Sequence, residues 1–161
     1  MKSSMQFVGF RLADQEYAFR IEQIQEILIP DRVTQMPQVA DYIEGVSNLR
    51  GTIIPIINLR RLFDLEPKEK DEETRTIVAN VGSRVIGCTV DGVTQVIRIS
   101  LEQIQPAPEI VRSEGTAYIA GFARLDSRVV VLLEIEELLH PSKMEHVRRV
   151  AAPRVSIDLT A

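Results

Sequence analysis

The chain has one cysteine in 161 residues, so no internal disulfide can form and a reducing cytoplasm fits. Cys88 lies between Ile86 and Val90 at strand spacing, which reads as a small core residue rather than a reactive thiol. Tryptophan is absent, aromatics make up 5% and the net charge is −4. A nucleic-acid binder would show a basic stripe or stacking aromatics, and neither is visible. The only histidines, His140 and His146, stand near the C-terminus with no Cys or acidic pattern at metal-ligand spacing beside them. There is no GxGxxG, no phosphate loop and no nucleophile elbow, so the sequence points to no enzyme, no cofactor and no metal. No apolar run approaches the roughly 18 residues of a membrane span. The start, MKSSMQFVGF, lacks a long apolar stretch before a small-residue cleavage site, which argues against a secretory signal.

What the chain does have is an echo of itself. Tyr42–Phe63, YIEGVSNLRGTIIPIINLRRLF, aligns without a gap on Tyr118–Leu139, YIAGFARLDSRVVVLLEIEELL. Tyr42 falls on Tyr118, Gly45 on Gly121 and Leu49 on Leu125, while Asn48, Arg50 and Gly51 give way to Arg124, Asp126 and Ser127. A second gapless match pairs Phe7–Ile27 with Thr76–Val96 through apolar pattern, with Val8 on Ile77 and Ile27 on Val96. Both matches run in the same order, which reads as one structural unit built twice. Seven or so extra residues in the second half fall naturally at Gln105–Gly115. Each half alone is too small to bury a sufficient core, so the two should share an apolar seam.

Gln6–Leu12 and Tyr17–Arg20 read as strands. Glu22–Leu28 carries isoleucines at helical spacing and reads as a short helix, with strand as the alternative. Val33–Met36 is expected as a short strand and Val39–Glu44 as one helical turn. Thr52–Asn58 is β-rich, but Pro55 cannot donate to a ladder, so this strand should lie at an edge or bulge there. Leu59–Leu65 is short and amphipathic. The charged run Glu66–Glu73 reads as a solvated connector between the halves. Arg75–Val81 with Val85–Val90, and Ala117–Leu125 with Arg128–Leu133, read as hairpins. Ser100 with Gln103 resembles a capping box. Glu134–His140 and Ser142–Val150 are expected to be helical. Many short strands punctuated by Gly and Pro indicate small barrels rather than a parallel sheet.

Gly45–Gly51 followed by Thr52–Leu59 resembles the hallmark stretch of the CheW family, the coupling proteins of bacterial chemotaxis. The likeness continues through residues 10–27 and 90–109 and covers most of Phe7 to Leu139. The resemblance implies a mainly β fold of two five-stranded SH3-like β-barrels packed together, with short helices. It places a single domain at 1–141, with subdomains at roughly 14–66 (completed by the N-terminal strand or C-terminal residues) and 74–134, and a tail at 142–161. It also implies a non-catalytic cytoplasmic adaptor, recruited to membrane-bound arrays without inserting in the membrane. Its partners would be the cytoplasmic hairpin of a methyl-accepting chemoreceptor, the regulatory domain of the histidine kinase CheA and other CheW-like domains.

On that reading a groove between the barrels receives the receptor helices, with Glu26, Ile27, Gly45, Arg50 and Val96 as candidate receptor-binding residues. Ile24 and Val93 are better read as core. Arg50 is the sharpest candidate, because it sits in an expected turn, the second copy lacks it, and guanidinium makes planar multi-donor contacts. Its plainer role is a local surface ion pair. Gln105, Pro106, Glu109 and Ile110 are the candidate kinase-binding residues, on a loop that proline holds extended. The competing readings are a CheW-like adaptor of pilus motility or another receptor-kinase array, a fragment of a larger signalling protein, and a small-molecule-binding barrel.

Overall fold

Alternating apolar residues give most of this chain its strands. A computed structural model describes residues 3–109 and 118–139. Five strands form one sheet in the order β3 (Ile24–Leu28), β6 (Arg75–Val81), β7 (Arg84–Val90), β5 (Thr52–Asn58), β4 (Ile43–Leu49). Six form the other, in the order β8 (Gly92–Ser100), β1 (Ser4–Leu12), β2 (Gln15–Arg20), β11 (Arg128–Leu133), β10 (Ile119–Leu125), β9 (Ile104–Pro106). Short helices α1 (Leu59–Leu62) and α2 (Ile135–Leu138) follow β5 and β11. The fold is mainly β in two small sheets, as expected, except that β9 adds a sixth strand to the second.

The strand pairings carry the internal repeat. Phe7 faces Arg20 as Thr76 faces Thr89. Ile27 faces Ile77 as Val96 faces Val8. Ile56 faces Gly87 in a parallel pair, as Leu132 faces Ala18. The two sheets are therefore equivalent strand for strand, but each borrows a hairpin from the opposite half of the chain. β1–β2 sits beside β8 and β11, and β6–β7 sits beside β3 and β5. The expected division into 14–66 and 74–134 is thus not the division into sheets: residues 4–20 pair with 92–133, and 24–58 pair with 75–90.

The exchange decides where the core lies. Each sheet has its own cluster, Ile54, Ile56 and Val78 in one and Phe7, Ile97, Ile99, Val130 and Leu132 among others in the second. A larger cluster joins them, with Phe10, Leu12 and Phe19 from the six-stranded sheet packed with Ile57, Ile77, Ile86 and Cys88 from the five-stranded one. A row of rings, Phe10–Tyr17–Phe63–Tyr118, runs along this seam at centroid spacings of 5.9, 5.6 and 5.6 Å. Burial pushes the Cys88 thiol up to about 12, as befits a packed core residue.

Three local expectations differ from the structure. Glu22–Leu28 is a one-turn 3-10 helix, Ile21–Gln23, followed by strand β3. The β-branched Ile27 finds a partner in Ile77, and tertiary pairing outweighs helical spacing. Val33–Met36 contributes a single bridge, Thr34 to Val46. Val39–Glu44 forms turns that lead into β4. Pro55 behaves as expected, since β5 joins β7 only from Ile56 onward and no ladder partner is lost. The cap at Ser100 forms, with its N–H donating to Gln103 Oε1 at 2.9 Å. The expected helix Ser142–Val150 lies outside the described residues.

Asp91 stands where the chain crosses from β7 to β8. Its carboxylate accepts from the Ala13 N–H at 2.7 Å, in the β1–β2 turn, and from Arg60 Nε on α1 at 2.9 and 3.0 Å. Burial alone would raise the Asp91 pKa, but the hydrogen bonds from Arg60 and Ala13 outweigh it and hold it below the usual range. A depressed carboxylate contributes stability above its unfolded pKa, near 4, and loses it as pH falls through the lower folded value. Asp91→Asn should therefore cost about 3 kcal/mol at pH 7, since it strands a nearly buried guanidinium. That deficit should shrink as pH falls below 4 in urea titrations of the two proteins, and a constant deficit from pH 7 to 2.5 would refute this role.

Candidate functional site

The five-stranded sheet carries a cavity of about 700 Å³. Its lining comes from β3, β4, β5, β6 and the 29–33 segment, so it lies within this sheet. Ile54 and Ile56 point into it because alternation on β5 puts them on one face, while Ile57 points to the shared seam. Leu28, Val33, Leu49 and Val78 complete an apolar lining, and Ile29, 73% exposed, is its most accessible member.

Arg50 and Gly51 make the two-residue turn between β4 and β5, with Leu49 opposite Thr52 and φ values of 49° and 90°. Positive φ at both positions matches a type I′ hairpin turn, in which arginine is an unfavoured first residue. Asn48 Oδ1 accepts from the Gly51 N–H at 2.8 Å and steadies the turn. The Arg50 guanidinium reaches Glu26 with both terminal nitrogens, Nη1 to Oε1 at 3.2 Å and Nη2 to Oε2. Glu26 is on β3 and Arg50 closes β4, the two edge strands of the sheet, so the pair links the sheet's edges beside the cavity. The Arg50 hydrogen bond holds the Glu26 carboxyl below the usual carboxylate range, and Glu26 in turn raises Arg50. The bidentate geometry suits guanidinium and not ammonium.

Of the five proposed receptor-binding residues, Ile27 and Arg50 thus line this cavity, and Glu26 joins them through its pair with Arg50. Gly45 is buried on β4, where its φ is +150° and an added Cβ would lie 2.0 Å from the Thr34 carbonyl oxygen. It presents a close backbone approach. Val96 is exposed on β8, the edge of the other sheet, in the place equivalent to Ile27. Ile24 and Val93 pack on the shared core, as read from the sequence. The lining residues Ile29, Val33 and Leu49 were missed. Their signal was an apolar isoleucine directly before Pro30 and a leucine directly before the turn.

Gln105 and Pro106 are exposed on β9, which pairs with β10, and Glu109 is exposed beyond it. Ile104 packs on the second sheet's cluster and Ala107 is buried, so this edge is anchored from below. Ile110 lies outside the described residues. Among the described residues no group of His, Cys, Asp and Glu is gathered for a metal ion, and no helix is long and apolar enough to cross a membrane.

Two packed small β sheets with an open cavity and an anchored edge strand make a mainly β domain with two candidate binding surfaces. The family described as the CheW-like domain matches residues 6–143, and the chain belongs to that family. A chemotaxis protein CheW of Klebsiella aerogenes is 43% identical over 146 residues, covering 91% of this chain and 88% of that protein. One of Helicobacter pylori is 36% identical over 135 residues, covering 84% and 81%. The crystal structure of the scaffolding protein TtCheW from Thermoanaerobacter tengcongensis superposes with a TM-score of 0.78 at 29% identity, covering 86% of this chain and 94% of that one.

Proposed function

We propose that this chain is a non-catalytic chemotaxis scaffold that joins the cytoplasmic hairpin of a methyl-accepting chemoreceptor to the regulatory domain of the histidine kinase CheA. The observation that carries the reading is the apolar cavity bounded by the Glu26–Arg50 pair, in a member of a family whose relatives are named chemotaxis and scaffolding proteins. An apolar channel with a charged mouth receives one face of a helix, and the ion pair supplies polar recognition at its rim. The domain spans 1–141 and works in the cytoplasm, brought to the membrane by its receptor. The β9 edge with Gln105, Pro106, Glu109 and Ile110 is the kinase face, and CheW-like neighbours in an array use the same kinds of surface. Holding both partners on one body raises the effective concentration of each for the other.

Arg50→Asn tests the receptor face, because asparagine accepts positive φ and keeps the turn. The variant should melt at the wild-type temperature and bind a receptor cytoplasmic fragment roughly thirtyfold more weakly in titration calorimetry. Unchanged receptor affinity would reject the assignment. In a reconstituted assay, receptor-dependent stimulation of CheA autophosphorylation should require this chain, and stimulation that is the same without it would end the coupling reading.

A further inference from the structure

The charged run between the halves is fastened to both of them. At its start Arg60 donates through Nη1 to the Glu66 carbonyl. Lys70 Nζ lies 2.9 Å from Glu44 Oε2 on β4, and the same carboxylate accepts from the Thr89 hydroxyl on β7. At its end Glu73 Oε1 accepts from Arg11 Nη2 on β1 at 2.9 Å. Lys70 therefore grips the five-stranded sheet and Glu73 the six-stranded one. The segment keeps its shape between these points. Lys68 pairs with Asp71 at 2.9 Å, and the Asp71 carboxylate accepts from the N–H of Glu73 and of Thr74. Beneath it lies a cavity of about 380 Å³ whose lining includes the carboxylates Glu44, Glu69 and Asp91 and the cations Arg60, Lys68 and Lys70. The Glu44 side chain is only 9% exposed and is held between Lys70 and the Thr89 hydroxyl.

We propose that residues 66–74 form an ionic clasp across the boundary of the two sheets, locked by Lys70–Glu44 on one side and Glu73–Arg11 on the other. Arg60, which holds the start of the clasp at Glu66, also belongs to the Arg60–Asp91–Ala13 junction, which spans the boundary too. Opening the clasp leaves, at this end, that junction and the backbone bond from the Asp91 N–H to the Arg11 carbonyl at 3.0 Å, with the apolar seam unchanged. Because its contacts are ionic and partly exposed, salt weakens it while the apolar seam is untouched or strengthened.

Limited trypsin digestion of the full chain, with cleavage after Lys68 and Lys70 mapped by mass spectrometry, tests the clasp against a free peptide of residues 64–76. Wild-type protein at low salt should be cleaved at least about tenfold more slowly than the peptide, the mark of a closed local structure. Glu44→Gln and Glu73→Gln should each remove most of that protection, as should 0.5 M salt after normalising to the peptide, at about the ionic strength where surface pairs are screened. Glu73 is exposed, so Glu73→Gln folds even if Glu44→Gln does not. In Glu73→Gln the Ala13 amide, across the boundary, should also exchange with solvent deuterium faster than in wild type. Cleavage of the wild type at the peptide's rate, or protection unmoved by both variants and by salt, would overturn the clasp. Release of residues 66–74 with no change at Ala13 would overturn its reach across the boundary.

Discussion

Phe10→Ala should unfold both sheets in a single transition and cost about 3–5 kcal/mol. Phe10 is fully buried on β1, in the six-stranded sheet, yet it belongs to the cluster that includes Ile57, Ile77 and Ile86 of the other sheet. Its ring lies 4.8 Å from Phe19 and 5.9 Å from Tyr17, so truncation removes aromatic contacts as well as buried area. The cavity would be lined by rigid β strands from both sheets, which cannot collapse to fill it. Urea unfolding followed by far-UV circular dichroism should show one transition shifted to lower denaturant. Two separate transitions, one near the wild-type midpoint, would show that the sheets are independent and that the shared core has been misread.

Gly45→Ala should cost about 3 kcal/mol or more, although it adds only a methyl group. The backbone φ of +150° is unfavourable for any residue with a Cβ, and the new atom would fall 2.0 Å from the Thr34 carbonyl oxygen. That oxygen accepts from the Val46 N–H at 2.9 Å, and Val46 accepts from the Thr34 N–H at 2.8 Å, so relief of the clash breaks the bridge. Gly51→Ala is the control. It shares a positive φ but has nothing within 4 Å of its Cβ, so it should cost only the backbone penalty of about 1 kcal/mol. Equal thermal shifts for the two variants would place the whole effect in backbone strain and remove the close-approach argument.

Gly45 also shows what the sequence carried and what it withheld. The identity of Gly45 with Gly121 marked an equivalent pair, and the second glycine also approaches a crossing backbone, its Cβ falling 2.6 Å from the Gln105 carbonyl oxygen. The reason for the identity, a neighbouring chain segment, is not local and was read as a partner contact. Apolar alternation marked β1, β2, β5, β6, β7, β10 and β11, because residues two apart share a face whatever the strand pairs with. The same local rule misplaced Glu22–Leu28, where only the distant β6 decides between helix and strand. Arg50 in a turn was legible, and Glu26 stood among the receptor-binding candidates. Their meeting was not legible, since 24 residues and three intervening strands separate them. The expected groove between two barrels came from the family resemblance, while the hairpin exchange that builds each sheet from both halves of the chain has no local signal.

The reciprocal loan of β1–β2 and β6–β7 has a bearing on origin. A lone ancestral half would hold two strands of one sheet and three of the next, with an apolar face open on each. Two such molecules satisfy one another by trading hairpins, the geometry of a swapped homodimer. Joining them head to tail through a segment like 66–74 makes the trade intramolecular and frees each copy to mutate alone. With the two copies free to differ, equivalent turns carry opposite charges, Arg50 in one sheet and Asp126 in the other, and the doubled body has two unlike ends.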